Sequence, residues 1–203
     1  MTKSVAQDIA AIVLAAGGST RFGSPKQLLT YDGENLVRRA TRSAIDAGIS
    51  KVIVVLGAHA DEVRMHLAGL ENLTSIVNTE WAAGQASSLS AGIDAAASTG
   101  IIGALIMLAD QPLVTSDSLE RLLTRFAGPS SVVVSRYDEI LGVPAVFGSE
   151  YFDLLRTIEG DIGAGQWIRR HRELVTAVDM HEAEVDIDTV DDLDRIRPDR
   201  IAE

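Results

Sequence analysis

A glycine-rich loop that carries two basic side chains follows the first apolar segment of the chain. Residues 9–16 are apolar, residues 17–18 are glycines, and Arg21 and Lys26 come soon afterwards. Glycine lets backbone amides turn toward a ligand, and two cations add the charge that a di- or triphosphate requires. A turn with two solvated cations is the alternative. The spacing is neither G-x-G-x-x-G nor a Walker loop, in which lysine would replace Ser24, so neither a dinucleotide dehydrogenase nor a P-loop NTPase is favoured.

An acidic residue follows another apolar segment. Asp110 comes shortly after residues 101–108, which are apolar throughout. A carboxylate in this position either caps the helix that begins near Thr115 or binds a hard cation. Because Mg²⁺ bridges carboxylate and phosphate oxygens, a phosphate-binding loop nearby favours magnesium. The histidines show no metal-ligand spacing, and we expect them to have surface or structural roles.

Apolar segments alternate with helical patterns along the chain. Strands are predicted at residues 9–16, 51–56, 75–78, 101–108, 131–135, 145–147 and 174–178. Helices are predicted around residues 36–47, 61–67, 85–97, 149–156, 163–171 and 190–196, with another that Thr115 or Ser116 caps. Strands buried on both faces read as continuous apolar runs, and helical crossovers make neighbouring strands parallel. The fold class is therefore α/β: a three-layer α/β/α, Rossmann-like arrangement with a mostly parallel sheet and helices on both faces.

Sheets of this kind bind ligands at the carboxyl ends of their strands. The residues expected to surround the site are those just after Leu14, Leu56, Val77, Leu108 and Ser135. The glycine-rich loop and the acidic residue after the later apolar segment both satisfy this rule. They are therefore expected to face the same ligand.

Composition narrows the class of partner. A length of 203 residues favours one domain, residues 1–203. The formal net charge of −11 excludes general attraction to nucleic acid or to an anionic membrane. The lack of cysteine excludes disulfides, thiolate metal sites and cysteine nucleophiles. The first residues make a poor signal peptide and no apolar run could span a membrane, so we expect a cytoplasmic protein with neither nucleic acid nor membrane as a partner.

The glycine-rich loop also resembles that of a known family. Residues 14–28 fit L-A-A-G-x-S-x-R-x-G-x-x-K-x-L, the signature of the MobA-like nucleotidyltransferases. Ala16 is similar to the molybdenum cofactor cytidylyltransferases of that family, whereas guanylyl relatives usually read L-A-G-G. Further similar blocks are N-x-x-W-x-x-G-x-x-x-S-L-x-x-G at 78–92, L-x-D-Q-P at 108–112, G-D-x-G-A at 160–164 and D-I-D-T at 186–189.

The resemblance implies a nucleotide-diphospho-sugar transferase-like fold and magnesium-dependent nucleotidyl transfer. CMP would move from CTP to the terminal phosphate of molybdopterin, pyrophosphate would leave, and a molybdoenzyme is a partner to consider. Arg21, Lys26 and Asp110 are expected to be catalytic. Mg²⁺ is expected on Asp110 and Asp188.

Two groups of binding residues are expected. The nucleotide would contact Leu14, Ala15, Ala16, Gly17, Gly18, Arg21, Lys26, Asn78, Gly84 and Ser88. By resemblance, the acceptor would contact Arg136, Tyr137, Gly142, Pro144, Asp161 and Gly163. A helix start explains Ser88 almost equally well, and Trp81 is either a packing anchor or a pocket wall.

The sequence departs from the family pattern at residues expected to contact the acceptor. Many molybdopterin cytidylyltransferases carry G-H-P where this chain has Val143 between glycine and proline, and Phe22 stands where methionine is usual. An apolar side chain in place of a polar ring leaves the acceptor open. The alternatives are GTP or another phosphorylated acceptor, an NAD(P)H-dependent oxidoreductase, and a chaperone that delivers the cofactor. The oxidoreductase is disfavoured because G-x-G-x-x-G and its acidic ribose ligand are missing.

Overall fold

Strands and helices alternate along the chain as the sequence predicts. The computed structural model describes residues 5–18 and 25–196. Its strands are β1 (Ile9–Ala15), β2 (Thr30–Tyr31), β3 (Glu34–Asn35), β4 (Lys51–Leu56), β5 (Leu73–Val77), β6 (Gly103–Leu108), β7 (Val132–Tyr137), β8 (Ile140–Gly148) and β9 (Thr176–Asp179). Its α-helices are α1 (Leu36–Asp46), α2 (Ala60–Met65), α3 (Gln85–Ala97), α4 (Ser116–Leu123), α5 (Phe152–Arg156), α6 (Ala164–Arg170) and α7 (Val190–Arg195).

Seven of the strands form one sheet in the order β5-β4-β1-β6-β8-β7-β9. β1 pairs in parallel with β4 and with β6, so that Ile12 lies between Ile53 and Ile106. β8 runs antiparallel to both of its neighbours, and β7 pairs in parallel with β9. The predicted mostly parallel sheet is therefore confirmed.

Helices cover both faces of this sheet, because alternate side chains of β1 enter two different cores. Ala11 and Val13 belong to the core on the α1, α2 and α4 side. Ile12 and Leu14 belong to the core on the α3, α5 and α6 side. A strand with apolar neighbours on both faces must be apolar at every position, which explains the continuous run in the sequence. In the described ranges, no helix has both the length and the apolar character needed to cross a membrane.

A third, small core attaches the carboxyl-terminal segment to the rest of the molecule. Tyr31, Leu36, Ile187 and Leu193 are buried together. The backbone amide of Ile187 donates to the carbonyl of Asp110 at 2.9 Å. This packing brings the acidic segment that precedes α7 to the carboxyl end of β6.

Some elements differ from the sequence expectation. The β2–β3 hairpin was not predicted; Asp32 and Gly33 form its turn with φ of 51° and 76°, the left-handed conformation that Asp-Gly favours in two-residue hairpins. β8 is longer than the predicted strand at 145–147, because its first residues pair with β7 although Ile140 is exposed. The predicted helix at 149–156 begins as a 3-10 turn before α5.

The packing of α3 on the sheet gives a test of the core. A Cβ at Gly92 would lie 2.5 Å from Ile12 Cγ2 and 3.2 Å from Val55 Cγ2. Alanine normally stabilises a helix by up to about 1 kcal/mol over glycine. Here the overpacking should dominate, so that Gly92→Ala lowers the free energy of unfolding by about 1–3 kcal/mol in urea titrations. Ser90→Ala, on the same helix, is the control and should change it by less than about 0.5 kcal/mol.

A second test concerns the ion pair that joins the hairpin to α1. Arg42 Nη2 lies 2.7 Å from Glu34 Oε2, and its hydrogen bond holds the pKa of Glu34 below the ordinary value of 4.5 although burial opposes the shift. A lowered carboxyl pKa stabilises the fold above the unfolded-state pKa, and this contribution disappears as the pH falls through the folded-state pKa. Glu34→Gln should therefore cost about 1 kcal/mol or less at pH 7 and almost nothing near pH 3.

The measurement is urea unfolding of both proteins at the two pH values. Asp61→Asn removes a carboxylate from an exposed ion pair with Arg64 and serves as the control. An equal cost of Glu34→Gln at both pH values would show that the ion pair is not the source of the effect.

Candidate active site

A cavity of about 360 Å³ opens at the carboxyl edge of the sheet, between the glycine-rich loop and the start of α3. Its lining is Leu14, Ala15, Ala16, Gly17, Gly18, Lys26, Gln27, Trp81, Ala82, Gly84, Gln85, Ser88, Leu108, Ala109, Asp110 and Asp161. We call it the first cavity. Most of the residues expected to bind the nucleotide therefore meet there. Arg21 lies outside the described residues, and Asn78 is not part of the lining.

A buried amide holds the backbone of residues 15–17, where the glycine-rich loop begins. Gln27 is 3% exposed, and its Nε2 donates to the carbonyls of Ala15 at 3.1 Å and Gly17 at 2.7 Å. On the other side, a Cβ at Gly18 would lie 2.8 Å from the ring of Trp81. Residue 18 must therefore be glycine to lie this close to Trp81, and both residues line the first cavity.

Asn78 positions the other side of the first cavity. Its Nδ2 donates to the hydroxyls of Ser87 at 2.8 Å and Ser88 at 3.0 Å. Its Oδ1 accepts from the backbone amide of Glu80 at 2.9 Å. The side chain is buried, and these contacts give it the role of holding the start of α3 rather than of lining the cavity. Ser88 does line it.

One ammonium group joins the acidic residues of the site. Lys26 Nζ lies 2.6 Å from Asp110 Oδ2 and 3.2 Å from Asp188 Oδ1. Burial opposes the charged form of Lys26, but the charge and hydrogen bond of Asp110, together with Asp188, raise its pKa above the ordinary value. The other carboxylate oxygen of Asp110, Oδ1, is buried without a hydrogen-bond partner.

These carboxylates suit a hard divalent cation. In the part of the chain that the structure describes, no three acidic, histidine or cysteine side chains are grouped as metal ligands. Magnesium commonly takes one or two carboxylates and completes its shell with water and substrate phosphates. Asp110 and Asp188 could supply the two, and the unpartnered Oδ1 of Asp110 is an oxygen ready to bind a cation. In this structure the ammonium group of Lys26 lies between the two carboxylates and forms an ion pair with each.

A second cavity, of about 260 Å³, adjoins the first. Both are lined by Leu14, Gln85, Leu108 and Asp161. The remaining lining of the second cavity is Ile106, Gln111, Tyr137, Gly142, Val143, Ile162, Gly163, Ala164, Gly165, Gln166, Arg169 and Asp186. Tyr137, Gly142, Asp161 and Gly163 thus occur together, as the acceptor hypothesis expects.

Two residues of the acceptor hypothesis lie elsewhere. Arg136 Nε is 2.6 Å from Asp179 Oδ1, and this exposed pair is not part of the second cavity. Pro144 is buried and also absent from its lining; its carbonyl accepts from the hydroxyl of Ser135 at 2.6 Å. Regular strand geometry would place Gly142 and Pro144 on the same face, but the pairing of β7 with β8 shifts register between Val134 and Ser135, so the two residues differ in their surroundings.

Asp186 lines the second cavity, whereas Asp110 and Asp188 form the ion pairs with Lys26. Partial burial, and then the negative charge of Asp110, raise the pKa of Asp186 to about 6. Gln111 opposes this shift through a hydrogen bond. Sequence reasoning missed Gln27, Gln85 and Arg169, because single amides and a helix-borne arginine carry no spacing signal. Gln111 belongs to the L-x-D-Q-P block, but the sequence assigned it no role.

Residues 84–86 and 160–163, two segments that contribute to the lining of both cavities, are in close backbone contact. Gly84 has φ of +113°, and a Cβ there would collide with the carbonyl group of Gly160. The backbone amide of Ala86 donates to the Gly160 carbonyl at 3.1 Å. Gly163 also lies against Oε1 of Gln85, the end of an exposed side chain. The glycines of the two motifs therefore fit against one another.

Comparisons with known proteins agree with this arrangement. Residues 11–175 match the family described as the MobA-like NTP transferase domain. The chain is 35% identical over 198 residues to nicotine blue oxidoreductase of Paenarthrobacter nicotinovorans, covering 93% of this chain and 96% of the relative.

Two solved structures share the fold over almost the whole chain. A nucleotidyl transferase from Methanothermobacter thermautotroptrophicus has a TM-score of 0.80 at 25% identity, covering 95% of this chain and 97% of that chain. Rv0371c of Mycobacterium tuberculosis H37Rv, solved in complex with manganese, has a TM-score of 0.73 at 30% identity, covering 93% and 97%.

The contact of Lys26 with two carboxylates predicts a measurable effect on metal binding. Lys26→Met removes the positive charge between Asp110 and Asp188, so Mn²⁺ alone should bind at least about fivefold more tightly, a change of roughly 1 kcal/mol. Titration calorimetry without nucleotide measures it. Lys51→Met is the matched control, because Lys51 lies at the start of β4 and donates to the carbonyl of Thr99. Unchanged Mn²⁺ affinity in Lys26→Met would contradict a cation site on these carboxylates.

Proposed function

Since the chain belongs to the MobA-like NTP transferase family, we propose that it transfers CMP from CTP to the terminal phosphate of a phosphorylated acceptor, molybdopterin, and releases pyrophosphate. The observation that carries the proposal is the contact of Lys26 with Asp110 and Asp188 beside the first cavity. That cavity has the glycine-rich loop for phosphate oxygens and cationic and anionic groups for charge balance.

The reaction needs little acid–base chemistry. An oxygen of the acceptor phosphate attacks the α-phosphorus of CTP, and the new O–P bond forms as the bond from the α-phosphorus to the bridging oxygen breaks. The electron pair leaves with pyrophosphate. Because the nucleophile is already an anion, catalysis rests on alignment and on neutralising charge. Lys26 and the loop amides can supply both, and the sequence assigns Arg21 the same task.

Nucleotidyltransferases of this family use a divalent metal, and we propose Mg²⁺ for this chain. Asp110 and Asp188 would hold it. When bound, the ion would neutralise phosphate charge. Lys26 would then be available to the triphosphate, since its present partners would share their charge with the ion.

The choice of CTP rests on the residues that line the first cavity near the loop. Ala16, the residue similar to cytidylyltransferases, lines it and is almost fully buried. Gly84 and Ser88 lie across the cavity and are the proposed contacts for the base. The second cavity is the proposed acceptor site, with Gly142, Asp161 and Gly163 in its lining.

A second candidate function comes from the similarity to nicotine blue oxidoreductase. On this hypothesis the chain transfers a hydride from NAD(P)H to an organic acceptor. The two functions differ in the ligand that must enter the first cavity. We expect a triphosphate to depend on Lys26 and a divalent cation, whereas a nicotinamide dinucleotide carries a diphosphate bridge and no triphosphate.

Calorimetric titration of the full chain with CTP, GTP, ATP and NADH, each with and without Mg²⁺, separates these functions. We expect Mg²⁺-dependent CTP binding that is clearly tighter than GTP binding, followed by pyrophosphate release when molybdopterin is added. NADH binding without triphosphate binding would overturn the transferase proposal. Tighter binding of GTP would retain nucleotidyl transfer and exclude CTP as the substrate.

Two variants test the roles of single residues. Lys26→Met should weaken CTP binding by about 1.5–3 kcal/mol, the scale of a hydrogen bond to a charged group, while Lys51→Met leaves it unchanged.

Asp110→Asn should abolish Mg²⁺-dependent turnover without loss of fold, as judged by the thermal unfolding midpoint. Full turnover in Asp110→Asn would remove this residue from the metal site.

A further inference from the structure

The second cavity contains one basic side chain among its described lining residues, Arg169 of α6. Its Nη1 lies 3.3 Å from the position of a Cβ on Gly165, one helical turn earlier. Side chains of a helix lean toward its amino-terminal end, and a glycine at that place leaves the surface open beneath the guanidinium. Arg169 therefore folds back over the first turn of α6, toward the second cavity.

Arg169 forms no ion pair with any carboxylate of residues 5–18 and 25–196, although acidic side chains occur in the same cavity. Arg136, by contrast, is paired with Asp179. A guanidinium that faces a cavity without a carboxylate partner keeps its donors available for a ligand.

The other charged residues of the second cavity are acidic, so the guanidinium of Arg169 matters for the binding of an anion. Asp161 and Asp186 are the acidic residues in the lining, and the whole chain carries a net charge of −11. An anionic ligand would be repelled from such a cavity unless a cation faced it. Arg169 supplies that cation.

A neutral donor accompanies the guanidinium. The hydroxyl of Tyr137 fits against Gly142, where a Cβ would lie only 2.7 Å from it. Burial, and then the charge of Asp186, raise the pKa of Tyr137, while Arg169 acts in the opposite direction. Tyr137 thus keeps its proton at neutral pH and can donate a hydrogen bond in the same cavity.

We propose that Arg169 determines acceptor specificity by binding a phosphomonoester group of the acceptor in the second cavity, with Tyr137 as an additional donor. This inference rests on the proposed function, because it assumes that the acceptor enters this cavity. Guanidinium and phosphate oxygens form paired, charge-assisted hydrogen bonds, which lysine cannot reproduce in the same geometry. An acceptor without an anionic group would form no ion pair with Arg169 and would bind more weakly.

The test uses phenyl phosphate as the probe and the full chain saturated with Mg²⁺ and α,β-methylene-CTP, which fills the first cavity without reacting. Calorimetry should show that Arg169→Gln weakens phenyl phosphate binding about tenfold or more, as expected for a hydrogen bond to a charged group. Arg169→Lys should recover part of the affinity. Arg170→Gln is the matched control, since it removes the same charge from the next residue, which is not in the lining; it should change the affinity by less than about twofold.

Several outcomes would overturn the proposal. The first is that phenyl phosphate does not bind to the unmodified chain. The second is that Arg169→Gln and Arg170→Gln lower the affinity for phenyl phosphate equally. The third is that Lys26→Met lowers this affinity while Arg169→Gln does not. If benzoate binds more tightly than phenyl phosphate and its binding depends on Arg169, the ligand group of this cavity is a carboxylate. That result would contradict the phosphomonoester proposal.

Failure of the proposed function is measured separately. The affinity for α,β-methylene-CTP should be the same in Arg169→Gln and in the unmodified chain. If the nucleotide analogue binds neither protein, the proposed function fails. The phenyl phosphate titrations, repeated without nucleotide, then still decide whether Arg169 binds a phosphomonoester.

Discussion

The contact of one ammonium group with two carboxylates joins three distant parts of the chain. Lys26 follows the glycine-rich loop, Asp110 follows β6, and Asp188 belongs to the segment before α7. Without a cation, the two carboxylates would repel one another at the edge of the sheet. The backbone hydrogen bond from the amide of Ile187 to the carbonyl of Asp110 also holds the segment before α7 against the end of β6. The approach of these three segments beside the first cavity therefore depends on charge balance as well as on packing.

The antiparallel strand β8 explains why a second cavity lies beside the first. β8 runs against β6 and β7, so its first residues, not its last, reach the edge at which the parallel strands end. Gly142 and Val143 thereby enter the lining together with Tyr137. A wholly parallel sheet would have placed the end of β8 there. The reversal of one strand thus gives the second cavity a wall.

Local patterns predict the sheet, and the resemblance of the motifs to the MobA-like family predicts most of the residues that line the first cavity. The apolar run at 51–56 coincides with β4 and the pattern at 85–97 with α3. The β2–β3 hairpin was missed although Asp32 and Gly33 carry a turn signal, because its strands have only two residues each. Contacts such as Gln27 with the loop carbonyls could not be predicted, since they depend on how distant segments pack. The structure also separates Asn78, Arg136 and Pro144 from the cavity linings for which the motifs suggested them.

The close fit of Gly84 against Gly160 has a consequence for the evolution of such proteins. A side chain at Gly84 would collide with the carbonyl group of Gly160 and force these two segments apart, so it is unfavourable. The other walls of the second cavity, such as Val143 and Gln166, are free of that restriction. Descendants of one ancestor can thus exchange the molecule that occupies the second cavity while inheriting the first cavity unchanged.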